Sequence, residues 1–239
     1  MATSQQKPAQ LDLELRPKTR GGARKGAGRK KTGRCSDAPH RERPDVKKHE
    51  VQHVVLRTHK DVPRLRRGAT YAAIARALRH TLGEHAFRVV HTSIQHNHLH
   101  FLIEADNKAA FSHGMRSLAI CAALAINEVC GRSGKVFAYR YHATAIRSPR
   151  QMRNALAYVL NNWRRHSEDE RSPAARMATL DPYSTAIHFR GWKQAPKFGV
   201  PAGYEPLPSA EATTWLMTAG WKRHGRISAY AVPGSAPRA

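Results

Sequence analysis

Two histidines two residues apart, His98 and His100, lie in the run HLHFLIEA at 98–105. On a strand, side chains two apart share a face, so both imidazoles project one way while Leu99, Phe101 and Ile103 project the other. A pair of imidazoles side by side is suited to hold one cation. Taken alone, the spacing equally describes two solvent-facing histidines in a chain that has fifteen. A second pair lies further on. Tyr158 and Asn162, four residues apart, fall on one helical face, beside the stripe Met152, Leu156, Val159 and Trp163. An edge tyrosine of this kind is either a packing residue with a wet hydroxyl or a group bordering a site. Basic residues Arg150, Arg153, Arg164 and Arg165 flank it, as expected near phosphates.

Positioning these groups requires a sheet and a helix, and the patterning supplies both. A β-branched run at 49–59 predicts a first strand, and apolar spacing over 70–82 (Tyr71, Ile74, Ala75, Leu78) predicts a helix. Strands are predicted at 86–94 and 98–105, separated by residues 95–97. A long amphipathic helix over 108–130 follows, with Phe111, Met115, Leu118, Ala119, Ala122 and Ile126 on one stripe. A fourth strand is predicted at 136–146. Ser148 then serves as N-cap and Pro149 as first residue of a helix reaching about His166. The order β-α-β-β-α-β with an added helix is the split βαβ, an α+β ferredoxin-like antiparallel sheet. That architecture hosts many functions and selects none. Residues 167–239 carry four motifs, DPYS, FRGW, TTWL and GWKRHG. They predict an irregular C-terminal extension with one short helix near 212–223.

Composition narrows the partner. Lys and Arg number 41 against 17 Asp and Glu, a formal net charge of +24. Such a surplus points to a polyanion, because cationic side chains gain affinity by displacing counterions from phosphates. No apolar run is expected to approach the roughly 20 residues that span a bilayer, so no membrane partner is expected. A polar, basic start without an apolar signal core predicts a cytoplasmic, nucleoid-associated protein. Cys35, Cys121 and Cys130 are scattered and lack zinc or disulfide spacing. Residues 1–48 read as a basic arm that is disordered alone. Its Arg20, Arg24, Lys25, Arg29, Lys30 and Lys31 would grip DNA or merely balance charge.

The stretch QHNHLHFLIEA at 95–105 resembles the histidine–hydrophobic–histidine strand of the HUH nucleases. RNALAYVLNNWRRH at 153–166 resembles the catalytic helix of the single-tyrosine insertion-sequence transposases and their REP-associated relatives. VFAYRYHATAIRSPRQMRNALAYVLNN at 136–162 resembles the run joining strand and helix in that group. The resemblance covers about residues 49–166. The basic start and the TTWL…GWKRHG end look like those of a bacterial transposase-like subgroup. The resemblance implies that His98 and His100 ligate Mg²⁺ or Mn²⁺ and that Tyr158 is the nucleophile. It implies a 5′-phosphotyrosine and a single-stranded or hairpin DNA substrate. Asn162 stands where those enzymes commonly carry a Gln that completes the metal site, and His96 stands where many have a small residue or Pro. A homodimer is one arrangement found in the group. The resemblance also implies that a tyrosine on a helix behind the short connection 147–150 lets an attached DNA end move. Tyr139 and Tyr141, expected on the fourth strand, are the rival nucleophiles. Two rival functions are weighed beside this one. One is a catalytically silent nucleic-acid binder using Trp163, Trp192, Trp215 and Trp221 as stacking platforms. The other is a metal-dependent hydrolase of small phosphoesters, disfavoured by the scarcity of carboxylates near 98–100.

Overall fold

A computed structural model describes residues 44–195 and 203–234. The first strand β1 is Val51–Arg57, α1 is Gly68–Thr81, β2 is Phe87–Ile94 and β3 is His98–Ala105. They are followed by α2 at Lys108–Val129, β4 at His142–Ile146 and α3 at Pro149–Arg165. The sheet order is β2-β3-β1-β4 with every pair antiparallel, the split βαβ arrangement expected from the sequence. The basic arm, with Arg20 through Lys31, lies outside the described residues. Its last residues, from 44, are described, and Lys47 already bridges to Asn107.

Period-two alternation sorts the strands onto two cores. Val54, Leu56, Phe87, Val89, Leu99, Phe101 and Ile103 pack beneath α1 and α2. Gly114 lets α2 come down on the Phe87 ring, which a Cβ there would meet at 2.1 Å. Val51, Val90, Leu102 and Ile146 face the other way and pack against Met152, Leu156, Val159 and Leu160 of α3. The expected stripe of α3 is thus its buried face. Its start is the expected one, strengthened by a capping box in which Ser148 and Gln151 satisfy each other's backbone.

Three expectations are corrected. The fourth strand is shorter than 136–146. Phe137 still bridges to Thr58, but pairing resumes only at His142 opposite Val55. From 55 to 58 is three steps and from 137 to 142 is five, so two surplus residues must loop out. Tyr139 is consequently 54% exposed, and Tyr141 packs against Phe111 of α2. Next, the C-terminal part forms several short helical turns rather than one. These lie at Glu168–Glu170, Pro173–Met177 (α4), Thr185–His188, Trp215–Thr218 (α5) and Gly220–His224. Leu180, Phe189, Trp192, Leu216, Met217, Trp221 and Ile227 from this part complete the second core. Finally, α2 is 22 residues long with a mean hydropathy of 1.4 over its most apolar window, long and apolar enough to cross a membrane by length and composition. Its Phe111, Met115, Leu118, Ala122 and Ile126 are buried on the sheet side, whereas Ile120 and Leu124 are exposed.

The TTWL motif closes the second core through one carboxylate. Glu104 of β3 has no exposed surface, and its oxygens accept from the backbone N–H and hydroxyl of both Thr213 and Thr214 at 2.7–3.0 Å. Burial alone pushes its pKa up; the four hydrogen bonds outweigh that and hold the carboxyl below its ordinary value of 4.5. Stability from this site is therefore complete above the ordinary carboxylate range and is lost as pH falls through the depressed folded value. Glu104→Ala should cost about 3 kcal/mol, measured by urea denaturation at pH 7. The difference from the parent should shrink in acid, and a variant as stable as the parent at pH 7 would show that the motif is not anchored here.

Candidate active site

β3 alternation places His98 and His100 on the face covered by α3. His98 Nδ1 lies 2.9 Å from Asn97 Oδ1. An amide oxygen only accepts, so Nδ1 carries the proton and Nε2 keeps its lone pair. His100 Nδ1 lies 3.1 Å from His53 Nε2, and the two rings stack at 5.3 Å between centroids. The second nitrogen of His100, Nε2, is buried and has no partner. With His100 Nδ1 donating to His53, both β3 imidazoles present an Nε2 lone pair.

Burial lowers the pKa of all three rings. His100 falls to about 2, through burial first and then the neighbouring His98, His53 and His166. His98 falls to about 4 through burial, with His166, Arg57 and His96 adding to it, and His53 to about 4 through burial and His142. All three are neutral at physiological pH, the state in which an imidazole binds a cation.

α3 delivers the remaining groups. The Tyr158 ring stands edge-on to His100 at 5.3 Å and to His53 at 5.8 Å. His166, which caps α3, stands edge-on to His98 at 5.4 Å. Positions 158, 162 and 166 form one stripe, and both ends of it touch the imidazole cluster. Asn162 is the middle position, fully buried, and neither its Oδ1 nor its Nδ2 has a partner. On β2, Ser93 sits opposite His100 and accepts from Gln95 Nε2 at 2.7 Å, leaving the buried Gln95 Oε1 also unpartnered. Buried polar atoms without partners each cost about 1–3 kcal/mol, and a cation ligated by imidazole nitrogen and amide oxygen would remove that cost. The donor set therefore fits a divalent cation. Among the described residues no group of three or more His, Cys, Asp and Glu is placed to hold a metal.

The structure thus brings His98, His100, Tyr158 and Asn162 together. His96, by contrast, sits exposed in the bend between β2 and β3. Tyr141 packs into the core beneath α1 and α2, on the opposite side of the sheet, and Tyr139 lies in the loop that leaves it. Three of the four α3 arginines are engaged by the C-terminal part. Arg164 donates to the Ala229 carbonyl at 2.9 Å, Asp169 at 2.8 Å and the Thr179 carbonyl at 3.1 Å. Arg153 donates to the carbonyls of Gly225 and Arg226, and Arg165 to that of Pro233. Arg150 is exposed at the start of α3. Trp163, Trp192 and Trp221 are buried, which removes them as stacking platforms and leaves Trp215, half exposed beneath the Arg223 guanidinium.

His53 was not among the sequence-derived candidates. Its one signal is a histidine inside the β-branched run VQHVV, and its partner depends on the β1–β3 register, which no single sequence displays.

Residues 46–162 match the family model described as transposase IS200 like. Those residues, just under half of the chain, resemble the IS200-like transposases. His53, His98, His100, Tyr158 and Asn162 all fall within the matched span. The chain is also similar to a solved REP-associated tyrosine transposase bound to a REP hairpin, at 15% identity and a TM-score of 0.49, over 63% of this chain and 84% of that one. No curated protein matches the chain significantly. The match supports a DNA-processing protein of transposase type.

Two predictions follow from the geometry. His53→Ala should weaken Mn²⁺ binding by about 10- to 100-fold, read by electron paramagnetic resonance titration, while His53→Gln, which keeps an acceptor, should recover part of the loss. Equal affinity in all three proteins would remove His53 from the site. On α3, Arg164→Ala should lower the melting temperature, since three acceptors lose their donor. Arg150→Ala should leave melting unchanged and weaken DNA binding. The reverse pattern in melting and filter-binding assays would return Arg164 to the DNA surface.

Proposed function

We propose that the chain is a single-strand DNA endonuclease and strand transferase, with Tyr158 as nucleophile and Mg²⁺ or Mn²⁺ held by His98, His100 and Asn162. The observation that carries this reading is the Tyr158 ring set 5.3 Å from His100, whose buried Nε2 is uncommitted. When bound, the cation supplies Lewis-acid stabilisation of charge on the phosphate oxygens. The nearby carboxylate Glu168 is taken up by Arg64, Arg66 and Arg171.

The chain's own residues account for the rest. Tyr158 Oη attacks phosphorus, forming the Oη–P bond as the P–O3′ bond breaks. The phenol proton leaves to water or a neighbouring base, and the departing 3′ oxygen takes one up. The product is a 5′-phosphotyrosine and a free 3′-hydroxyl. The phosphodiester energy stays in the tyrosyl ester, so a 3′-hydroxyl from another strand reverses the step without ATP. His53 and Asn97 fix the two imidazoles in the tautomer whose Nε2 lone pairs would take the cation. The basic arm at 1–48 adds sequence-independent phosphate contacts.

Single-stranded hairpin DNA labelled at its 5′ or 3′ end, incubated with Mn²⁺ and run on a denaturing gel, tests this. The wild type should give a covalent adduct carrying the label 3′ of the cut, mapping to the Tyr158 peptide. Tyr158→Phe should bind the hairpin normally and form none. His98→Ala or His100→Ala should abolish cleavage with binding nearly intact, and Asn162→Ala should lose less. An adduct that persists in Tyr158→Phe, or cleavage by either histidine variant at the parental rate, would sink the assignment.

A further inference from the structure

The DPYS motif at 181–184 plays no part in the chemistry above, yet two cavities share it as a wall. One, of about 410 Å³, is faced by Tyr71 of α1, Tyr183 and Tyr204. The Tyr71 ring stands 5.5 Å from that of Tyr183 and 6.1 Å from that of Tyr204. The Tyr71 hydroxyl donates to the Glu205 carbonyl at 2.6 Å and the Tyr204 hydroxyl to the Pro182 carbonyl at 2.9 Å. Tying each phenol at its tip holds its ring in place, so the aromatic walls are set before anything binds.

The other cavity, of about 310 Å³, adjoins it through Pro182 and Tyr183 and is lined by Arg64, Arg66, Arg171 and Trp163. Here three guanidiniums meet two carboxylates. Glu168 takes Arg64 at 3.4 Å, Arg66 at 3.5 Å and Arg171 at 2.9 Å, and Asp181 takes Arg66 at 2.8 Å. One positive charge is left over, and the side chains of Arg64 and Arg171 are 34% and 48% exposed. Trp163 also borders this cavity but is fully buried, so the partly exposed Arg64 and Arg171 are the groups an anion can reach.

Glu168, which takes these guanidiniums, also acts on His166, and the His166 ring touches His98. The cationic cavity therefore neighbours the imidazole end of the site, and the aromatic cavity adjoins it through Pro182 and Tyr183. Phosphate followed by base is the chemistry of one unpaired nucleotide. We infer that this groove seats an unpaired nucleotide flanking the cleaved phosphodiester, its phosphate at Arg64 and Arg171 and its base among Tyr71, Tyr183 and Tyr204. The inference rests on the DNA-cleaving reading for its substrate but not for its contacts. Arg171, Tyr183 and Tyr204 lie outside the matched span 46–162 and Arg64 and Tyr71 inside it, so the C-terminal part builds the groove together with the matched part.

The probe is a single-stranded oligonucleotide with 5-iododeoxyuridine in place of thymidine, irradiated with the full-length protein and mapped by mass spectrometry. Crosslinks should fall on peptides carrying Tyr71, Tyr183 or Tyr204. Tyr71→Leu and Tyr204→Leu should each weaken single-strand binding about tenfold while duplex binding is unchanged, and Tyr204→Phe, which keeps the ring and loses only its tie to Pro182, should lose less than Tyr204→Leu. Arg171→Gln should make the salt dependence shallower by about one counterion. Crosslinks confined to other peptides, or folded leucine variants that bind single strands as the parent does, overturn the groove. Since the mapping uses the wild type, a variant that fails to fold does not spare it. Crosslinks in the groove without any tyrosyl adduct would defeat the nuclease reading and leave the groove standing; an adduct with crosslinks elsewhere would do the opposite.

Discussion

The structure turns on a strand that is covered on both sides. All of β3 but its first residue is buried. Alternation gives one side to Leu99, Phe101, Ile103 and Ala105 and the other to His98, His100, Leu102 and Glu104. The first side is an ordinary apolar core. The second carries three polar groups into a region with little water, where each must be matched or left as a cost. Glu104 is matched by two threonines brought from more than a hundred residues away. His98 is matched at one nitrogen by Asn97 and His100 at one nitrogen by His53. Among the atoms left unmatched are those of His100, Asn162 and Gln95 beside the imidazole cluster. Uncompensated polar atoms beside a candidate site are the pattern expected where stability has been traded for binding.

Covering that second face is the work of α3 and the segment that returns over it. The segment has little regular structure, so its carbonyls lack ladder partners and need donors from side chains. Arginine, with five donors in a planar fork, is the residue type best able to supply several at once. This explains why a helix rich in arginine beside the candidate site spends Arg153, Arg164 and Arg165 on carbonyls of the chain itself. A large positive charge is a sound indicator of a polyanionic partner, but it does not say which arginines meet it.

The parts of the fold that were legible in the sequence are those encoded locally. Two-residue alternation gave the strands, the 3.6-residue stripe gave the helices, and Ser148-Pro149 marked the start of α3 because the cap and the first helical residue are neighbours in the chain. The HxH pair and the Tyr158–Asn162 spacing were legible for the same reason. What escaped depends on pairing at a distance. His53 joins the site only through the register of β1 on β3. The shortening of β4 follows from a mismatch of two residues against β1, invisible until the two strands are aligned. The C-terminal part shows no period because its turns are shorter than the windows in which a period can be seen. It is held by capping hydroxyls and by tryptophans whose partners, such as the Trp221 ring filling the space a Gly191 side chain would need, are set only by the fold.

Under the proposed function, the same contacts govern how Tyr158 would move during strand exchange. A helix behind a short connection suggests a freely swinging element, and the connection at 147–148 is indeed short. Yet α3 is bound on both sides. Its stripe lies against the sheet, and its outer face donates to Gly225, Arg226, Ser228, Ala229 and Pro233 through Arg153, Asn161, Arg164 and Arg165. Each such bond contributes about 1 kcal/mol net, so peeling α3 away alone would forfeit several at once, with the apolar stripe in addition. Displacing α3 together with residues 225–233 keeps these bonds but still breaks those of Arg164 to Asp169 and the Thr179 carbonyl, besides the contacts with the sheet. Asn162, in the C-terminal half of the helix, holds no hydrogen bond that such a motion would break. A motion that carries Tyr158 away from His100 therefore takes the returning segment with it and opens the face from its polar end.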